Sequence, residues 1–289
     1  MRKKMTANLL LLVAAFIWGS AFVAQTVGMD YVGPFTYIAS RNLLGFLVLI
    51  PVILLSGKNH LPNRTTLIGG IICGCILFVA SSFQQFGLLT TSAGKAGFIT
   101  ALYVIIVPII GLAFRKRPSP IVWACVVLAL VGFYLLCVKE DFSIIPGDLI
   151  VLCCAVMFAC HIISIDFLND KGVDGIQLSA IQFITASIIG WILAFIFEEP
   201  SIATITDAWL PICYAGILSS GVAYTLQIIG QKNTDPTSAT LIMSLESVFA
   251  ALSGMLILSE KLTMKELIGC LLVFVAVIIS QLPICTKKN

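Results

Sequence analysis

The sequence predicts an all-α integral membrane protein of ten transmembrane helices, arranged as two inverted five-helix repeats around a central cavity. Three observations predict this fold class: a composition with few charges, a regular series of apolar stretches, and a weak internal repeat. Hydrophobic residues make up 59% of the 289-residue chain and charged residues only 11%. Soluble domains carry about 25% charged residues. Lipid, rather than water, is therefore the main solvent of this chain.

Apolar stretches between charge clusters, prolines and glycines define the candidate spans. A helix rises about 1.5 Å per residue, so about 20 apolar residues cross the hydrocarbon core of a bilayer. The ten predicted spans lie near residues 7–24, 34–55, 66–89, 95–114, 120–138, 147–167, 176–197, 208–230, 237–258 and 265–283.

Basic residues are distributed unevenly between the predicted loops. With the N-terminus inside the cell, the inner loops and termini carry twelve basic residues and the outer side four, namely Lys95, Lys139, Lys261 and Lys265. Cytoplasmic loops of membrane proteins are enriched in Lys and Arg. The pattern predicts a multi-pass protein of the cell (plasma) membrane with both termini in the cytoplasm.

The two halves of the chain resemble each other when they are aligned in the register that places Gln84 on Gln227. Between residues 80 and 111 this register gives eight identities. We therefore expect one repeat in residues 1–140 and a second in residues 141–289, each with five spans. Because five is odd, the second repeat must enter the membrane in the opposite sense. Inverted repeats of this kind are typical of secondary transporters, whose substrate site lies near the midplane between the halves.

The repeat also resembles the EamA type of the drug/metabolite transporter superfamily, over nearly the whole chain. This resemblance implies ten spans, a central cavity and carriage of amino acids, related metabolites or drugs, often outward. The segments that carry it are Ala15-Phe16-Ile17-Trp18-Gly19-Ser20, Ala39-Ser40-Arg41-Asn42, Thr91-Ser92-Ala93-Gly94-Lys95-Ala96-Gly97-Phe98-Ile99, Pro236-Thr237-Ser238-Ala239, Leu245-Glu246-Ser247-Val248-Phe249-Ala250 and Ser259-Glu260-Lys261-Leu262.

Two segments depart from the pattern of this family. Leu245-Glu246-Ser247 stands where similar proteins read Leu-Glu-Pro, and Ser259-Glu260-Lys261-Leu262 stands where they read Gly-Glu-Arg-Leu. Proline kinks a helix because it lacks an N–H donor and clashes with the preceding turn. Without that proline, we expect the ninth span to lack a kink.

Glu246 and Arg41 are ionisable residues well inside predicted spans. An ionisable side chain in hydrocarbon costs about 2.5–3.5 kcal/mol and usually faces a cavity or a partner. Glu246 lies near the middle of the ninth span, where it can bind a proton or a cationic substrate group, or be satisfied by neighbouring hydroxyls. Arg41 lies two turns into the second span. It can pair with Glu246 or another acid, attract an anionic substrate, or reach the outer interface with its long side chain.

Three further polar residues are candidates for the cavity. Lys95 opens the fourth span beside Gly94 and Gly97, so it can face the outer mouth of the cavity or lipid phosphate. Gln84 and Gln227 are equivalent in the two repeats and would face the same axis. They can donate and accept hydrogen bonds in a cavity, or join helices to each other.

Aromatic and imidazole rings complete the candidate set. Trp18, Tyr103 and Tyr224 can supply stacking surfaces, although single aromatic residues also serve in packing. His161 can line the inner part of the cavity. Asp166 follows it by five residues, and that separation places the two off one helical face, so a joint proton relay is not favoured.

These features predict a secondary active transporter of small metabolites, exporting by alternating access, and not an enzyme. A membrane scaffold or sensor without transport is the alternative, and an intramembrane enzyme is a weaker one. The chain has only two histidines, His60 and His161, and no His-Glu-x-x-His or Gly-x-Ser-x-Gly motif. The ten cysteines lack the spacing of a metal site.

The expected partners follow from the same features. They are a small-molecule substrate and the lipid bilayer, with proton coupling through Glu246 as a hypothesis and no nucleic acid. No cofactor and no metal are expected. Substrate identity, transport direction, coupling ion and oligomeric state stay open at this point.

Overall fold

The computed structural model describes residues 2–56, 61–91, 93–113, 118–137, 145–257 and 263–281, and in these ranges the chain is helical with no strands. The first half contains six helices: α1 (Arg2–Gly28), α2 (Pro34–Leu55), α3 (Arg64–Leu88), α4 (Ala93–Ala101), α5 (Tyr103–Ala113) and α6 (Pro120–Cys137).

The second half repeats this order of elements. It begins with α7 (Pro146–Asp170), α8 (Gly175–Phe197), α9 (Ile202–Asp207) and α10 (Trp209–Cys213). A π-helical segment (Tyr214–Tyr224) follows and runs into α11 (Thr225–Gln231). The half ends with α12 (Pro236–Met243), α13 (Glu246–Ile257) and α14 (Met264–Gln281).

Eight helical stretches in the described residues are long and apolar enough to cross a membrane. Of the other two predicted spans, the fifth corresponds to a shorter apolar helix, Pro120–Leu135, and the ninth is divided between α12 and α13. The protein is therefore an all-α, multi-pass membrane protein, and the count of ten spans stays a prediction. The eight stretches are Lys3–Gly28, Pro34–Leu55, Arg64–Leu88, Ala96–Ala113, Pro146–Asp170, Gly175–Phe197, Trp209–Gln231 and Met264–Gln281.

Local signals explain where several helices begin. Asp235 accepts a hydrogen bond from the Ser238 N–H and so caps α12. Proline stands in the first turn of α2, α7 and α12, where its missing N–H is not needed.

One helix break contradicts the sequence prediction. The ninth span is interrupted at Ser244 and Leu245, so the expectation that it would lack a kink without proline is wrong. The Ser244 hydroxyl donates to the Leu241 carbonyl (2.8 Å), and the Leu245 N–H instead bonds the Ile242 carbonyl (3.2 Å). The interruption is therefore present without a proline at residue 247.

The fourth span is broken at the equivalent place. Helix α4 ends before Leu102, whose N–H bonds the Ile99 carbonyl at 3.2 Å, and α5 begins at Tyr103. The register of the repeat aligns Leu102 with Leu245 and Tyr103 with Glu246. Each repeat thus contains one discontinuous helix, broken at the same position.

Helix packing follows the same symmetry. Helix α1 packs against α13, and its counterpart α7 packs against α5. The pairs α2 with α8 and α6 with α14 each join a helix to its own counterpart. A helix that packs on its own counterpart lies beside the axis that relates the repeats, as in a two-fold interface. The largest hydrophobic cluster contains residues of both halves, so the repeats share one core.

Candidate functional site

A cavity lies between the two repeats. It encloses about 510 Å³ of empty space, including its mouth, and most of the side chains that line it are buried. The lining residues are Trp18, Phe22, Gln25, Arg41, Gln84, Thr100, Tyr103, Phe158, His161, Ile162, Ser219, Tyr224, Gln227, Met243 and Glu246.

The structure brings together eight of the nine residues that the sequence singled out. Glu246, Arg41, Gln84, Gln227, Trp18, Tyr103, Tyr224 and His161 all line this cavity. The ninth, Lys95, belongs to the first turn of α4, but its side chain lies outside the described part of the chain. Their roles in substrate binding or coupling stay predictions.

Three pairs of lining residues are related by the repeat. The members of each pair occupy equivalent positions in the two halves, which means that the cavity surrounds the repeat axis. Only one pair is chemically alike, so the cavity is symmetric in position and asymmetric in chemistry. The pairs are Gln84 with Gln227, Thr100 with Met243 and Tyr103 with Glu246.

Glu246 and Tyr103 are bonded to each other across the cavity axis. The Tyr103 hydroxyl donates to Oε1 of Glu246 over 3.0 Å. Each residue is the first of the helix that follows its break, α13 or α5. A bond between two equivalent residues must cross the axis that relates them. It therefore lies on the repeat axis, where a buried carboxyl group can exchange a proton or bind a cation.

Arg41 is buried in the wall of the same cavity. Its side chain is only 3% exposed, so the sequence-based alternative that it reaches the outer interface is wrong. Its Nη2 donates to the Ser81 hydroxyl (2.9 Å), and its guanidinium carbon lies 5.9 Å from the centre of the Tyr37 ring. In the described part of the chain no carboxylate is among these partners, so the predicted pairing with Glu246 is not formed. Its Nε has no hydrogen-bond partner among the described residues.

Two of the three aromatic candidates, Trp18 and Tyr224, belong to one cluster of rings around Tyr224. The Trp18 ring packs edge-on against the Tyr224 ring, with 4.8 Å between the two ring centres. The rings of His161 and Phe183 approach the same tyrosine at 5.9 Å. Since Trp18 and Tyr224 belong to different repeats, the stacking surface spans both halves of the cavity.

Sequence reasoning missed seven of the lining residues. Phe22 and Gln25 follow Trp18 by four and seven residues in α1, a spacing that places all three on one helical face. That periodicity could have identified them. Thr100 and Met243 could have been found only by applying the register of the repeat to every position. Phe158, Ile162 and Ser219 carry no comparable signal in the sequence.

The described residues contain no group of three or more His, Cys, Asp or Glu side chains that could hold a metal ion. Eight cysteine side chains are described by the structure, and all eight are free thiols. The chemistry that the cavity itself offers is one carboxyl, one guanidinium, amide and imidazole groups, and aromatic faces.

A multi-pass helical protein with a buried polar cavity between inverted repeats has the architecture of a membrane carrier. The EamA-like transporter family matches residues 5–138 and again residues 145–282. The chain belongs to this family, as its sequence resemblance implied.

Relatives and a solved structure extend along almost the whole chain. An uncharacterized transporter of Archaeoglobus fulgidus is 32% identical over 98% of this chain and 88% of its own length. The uncharacterized transporter YoaV of Bacillus subtilis is 22% identical over 94% of this chain and 95% of its own length. The uncharacterized inner membrane transporter YedA of Escherichia coli is 23% identical over 92% of this chain and 87% of its own length. One protein crystal structure is 20% identical in sequence and matches 95% of this chain and 96% of its own length with a TM-score of 0.80. It therefore shares the fold of this chain.

Proposed function

We propose that this protein is a secondary active transporter that exports small metabolites, such as amino acids, related metabolites or drugs, by alternating access. The observation that carries this proposal is the buried polar cavity on the repeat axis. Its central carboxyl, Glu246, is 6% exposed and bonded to the equivalent residue of the other repeat. In this proposal residues 1–140 and 141–289 are the two halves that move against each other.

The free-energy cost of placing ionisable and polar groups inside the membrane supports transport over a purely structural role. An ionisable group in a membrane interior costs about 2.5–3.5 kcal/mol on insertion scales. This cavity holds both a carboxyl and a guanidinium, together with three glutamines. A scaffold or sensor has little reason to retain them. The alternative of an intramembrane enzyme has no support in the described residues, where no metal-ligand cluster is found.

The two broken helices give alternating access a physical basis. Helices α4 and α12 end at equivalent breaks, and α5 and α13 begin there. A broken helix can change its angle at the break without disrupting a continuous series of backbone hydrogen bonds. The bond between Tyr103 and Glu246 joins the first turns of α5 and α13, which belong to different repeats, so rocking of one repeat against the other would have to turn about this bond or break it.

Glu246 is the proposed coupling residue. Protonation of its carboxyl from one side of the membrane and release to the other would allow a proton gradient to drive exchange. Both termini lie in the cytoplasm in this proposal, as the distribution of basic residues predicts.

The experiment is flux through proteoliposomes that contain the purified protein, with pooled labelled amino acids and metabolites, with and without an imposed pH gradient. We expect saturable flux of one compound class, stimulated by the gradient. Glu246→Gln should abolish that stimulation. Glu266→Gln is the matched control, because Glu266 starts α14 outside the cavity and bonds Thr263. Equal gradient-stimulated flux in Glu246→Gln and wild type would disprove coupling through Glu246, and absence of flux from every pool in folded protein would support the scaffold.

A further inference from the structure

The hydrogen-bond donors of three cavity rings are already occupied by the protein. The Tyr103 hydroxyl donates to Glu246 over 3.0 Å, and the Trp18 ring N–H donates to the Ser219 carbonyl over 3.3 Å. Nε2 of His161 lies 2.9 Å from Oε1 of Gln182.

Several acceptors of the cavity, by contrast, have no partner. Nδ1 of His161, Oε1 of Gln227 and Oε1 of Gln25 are buried and make no hydrogen bond within the described part of the chain. All three residues line the cavity. A buried polar atom without a partner costs about 1–3 kcal/mol, so a bound molecule that supplies donors would relieve that cost.

The amide oxygen of Gln182 faces Nε2 of His161, and this orientation of the amide makes Nδ1 the acceptor of the ring. An amide oxygen can only accept a hydrogen bond, so the ring nitrogen facing it must carry the proton. In a neutral imidazole the other nitrogen, Nδ1, then has a lone pair and no proton. Gln182 is fully buried in α8 and does not line the cavity.

We infer that Gln182 is a positioning residue that holds His161 as a hydrogen-bond acceptor, and that the cavity selects a ligand with N–H or O–H donors for the acceptors of His161, Gln25 and Gln227. The inference deepens the proposed function, on which its ligand class rests, whereas the state of the His161 ring can be tested without any transport. Arg41 remains as a donor elsewhere in the wall, so an acceptor group of the ligand would be directed toward it.

The first test is the protonation site of His161. The chain has only two histidines, so a His60→Ala variant labelled with ¹⁵N at histidine reports on His161 alone. We expect the ¹⁵N spectrum of a neutral ring with the proton on Nε2. Gln182→Met in this background should shift the ring toward the other tautomer. Gln85→Met is the matched control, because Gln85 is also fully buried in a helix but lies outside the cavity lining.

A spectrum with the proton on Nδ1 in the His60→Ala protein would overturn the role of Gln182, even if Gln182→Met fails to fold. The same result would leave the proposed transport function untouched. If the ring is protonated on Nε2 but no flux is found, the role of Gln182 stands and the proposed transport function is contradicted.

The second test addresses the ligand class with probes that differ only in donors. Benzamide carries an N–H₂ group that N,N-dimethylbenzamide lacks, and phenethylammonium carries N–H donors that its trimethyl derivative lacks at the same charge. We expect at least one donor-bearing probe to move the Nδ1 resonance of His161 and to bind about tenfold more tightly than its methylated partner. Gln182→Met should remove the difference. Equal affinities within both pairs, or no movement of the Nδ1 resonance with either donor-bearing probe, would overturn the proposed ligand class.

Discussion

Gly19→Ala should separate the two helices that position Glu246. A Cβ atom at Gly19 would lie 2.5 Å from Cβ of Phe249, 2.6 Å from the Glu246 carbonyl oxygen and 2.8 Å from the Ala250 nitrogen. Ordinary contacts begin at 3.4 Å, so α1 and α13 would have to move apart by about 0.9 Å to relieve the closest contact. Two of the three atoms belong to helix backbone and cannot rotate away.

The expected loss of stability in Gly19→Ala follows from the cost of overpacking. Inserting a methyl group into a close-packed interface costs about 1–3 kcal/mol. For a chain of this size, each kcal/mol lowers the melting temperature by about 2–4 °C. Because Glu246 is the first residue of α13, the same movement would disturb its 3.0 Å bond to Tyr103. Gradient-stimulated flux should therefore fall together with stability.

The assay is thermal denaturation in detergent, followed by tryptophan fluorescence, alongside flux in proteoliposomes. Gly97→Ala is the control, because no described atom lies within 4 Å of a Cβ built on Gly97. We expect Gly97→Ala to melt near wild type and Gly19→Ala to melt several degrees lower. If Gly19→Ala melts and transports like Gly97→Ala, the close approach of α1 and α13 at Gly19 is refuted.

Three further predictions address single contacts. In a double-mutant cycle, Tyr103→Phe and Glu246→Gln should show a coupling free energy of about 1 kcal/mol in thermal stability, and additive effects would contradict the bond between them. Arg41→Met should reduce saturable flux without lowering the melting temperature, since this buried charge has no carboxylate partner in the described residues; a loss of stability larger than the loss of flux would assign Arg41 to structure. Glu198→Ala should destabilise the protein by about 1–3 kcal/mol, because the carboxylate accepts hydrogen bonds from two backbone N–H groups at the start of α2. Gly33→Ala, whose Cβ would contact that carboxylate, should add little further loss in the Glu198→Ala background.

The sequence by itself determined that the protein lies in a membrane, and it also determined the architecture and most of the candidate site. Few charges and long apolar stretches require a membrane because a charged group in hydrocarbon is expensive. The same physical fact made each polar residue inside a span informative. Glu246, Arg41, Gln84 and His161 were singled out on that ground, and the structure places all four around one cavity. The constant register between the two halves predicted the inverted repeats without any knowledge of contacts.

Only the tertiary structure decided which groups are partners. The bonds of Tyr103 with Glu246, Arg41 with Ser81 and His161 with Gln182 each join different helices. A single sequence gives the depth and the face of a residue in its helix, but not which helix packs against that face.

The break in the ninth span is a second case in which tertiary structure was needed. Proline was a known cause of kinks, so its absence suggested a straight helix. The structure shows a break without proline, and the same break recurs in the fourth span, where Ala101 is the counterpart of Ser244, so no single type of side chain accounts for it. Helix depth and face are local properties of the chain, whereas hydrogen-bond partners are set by packing. For that reason the location of the cavity was readable from the sequence and its internal hydrogen bonds were not.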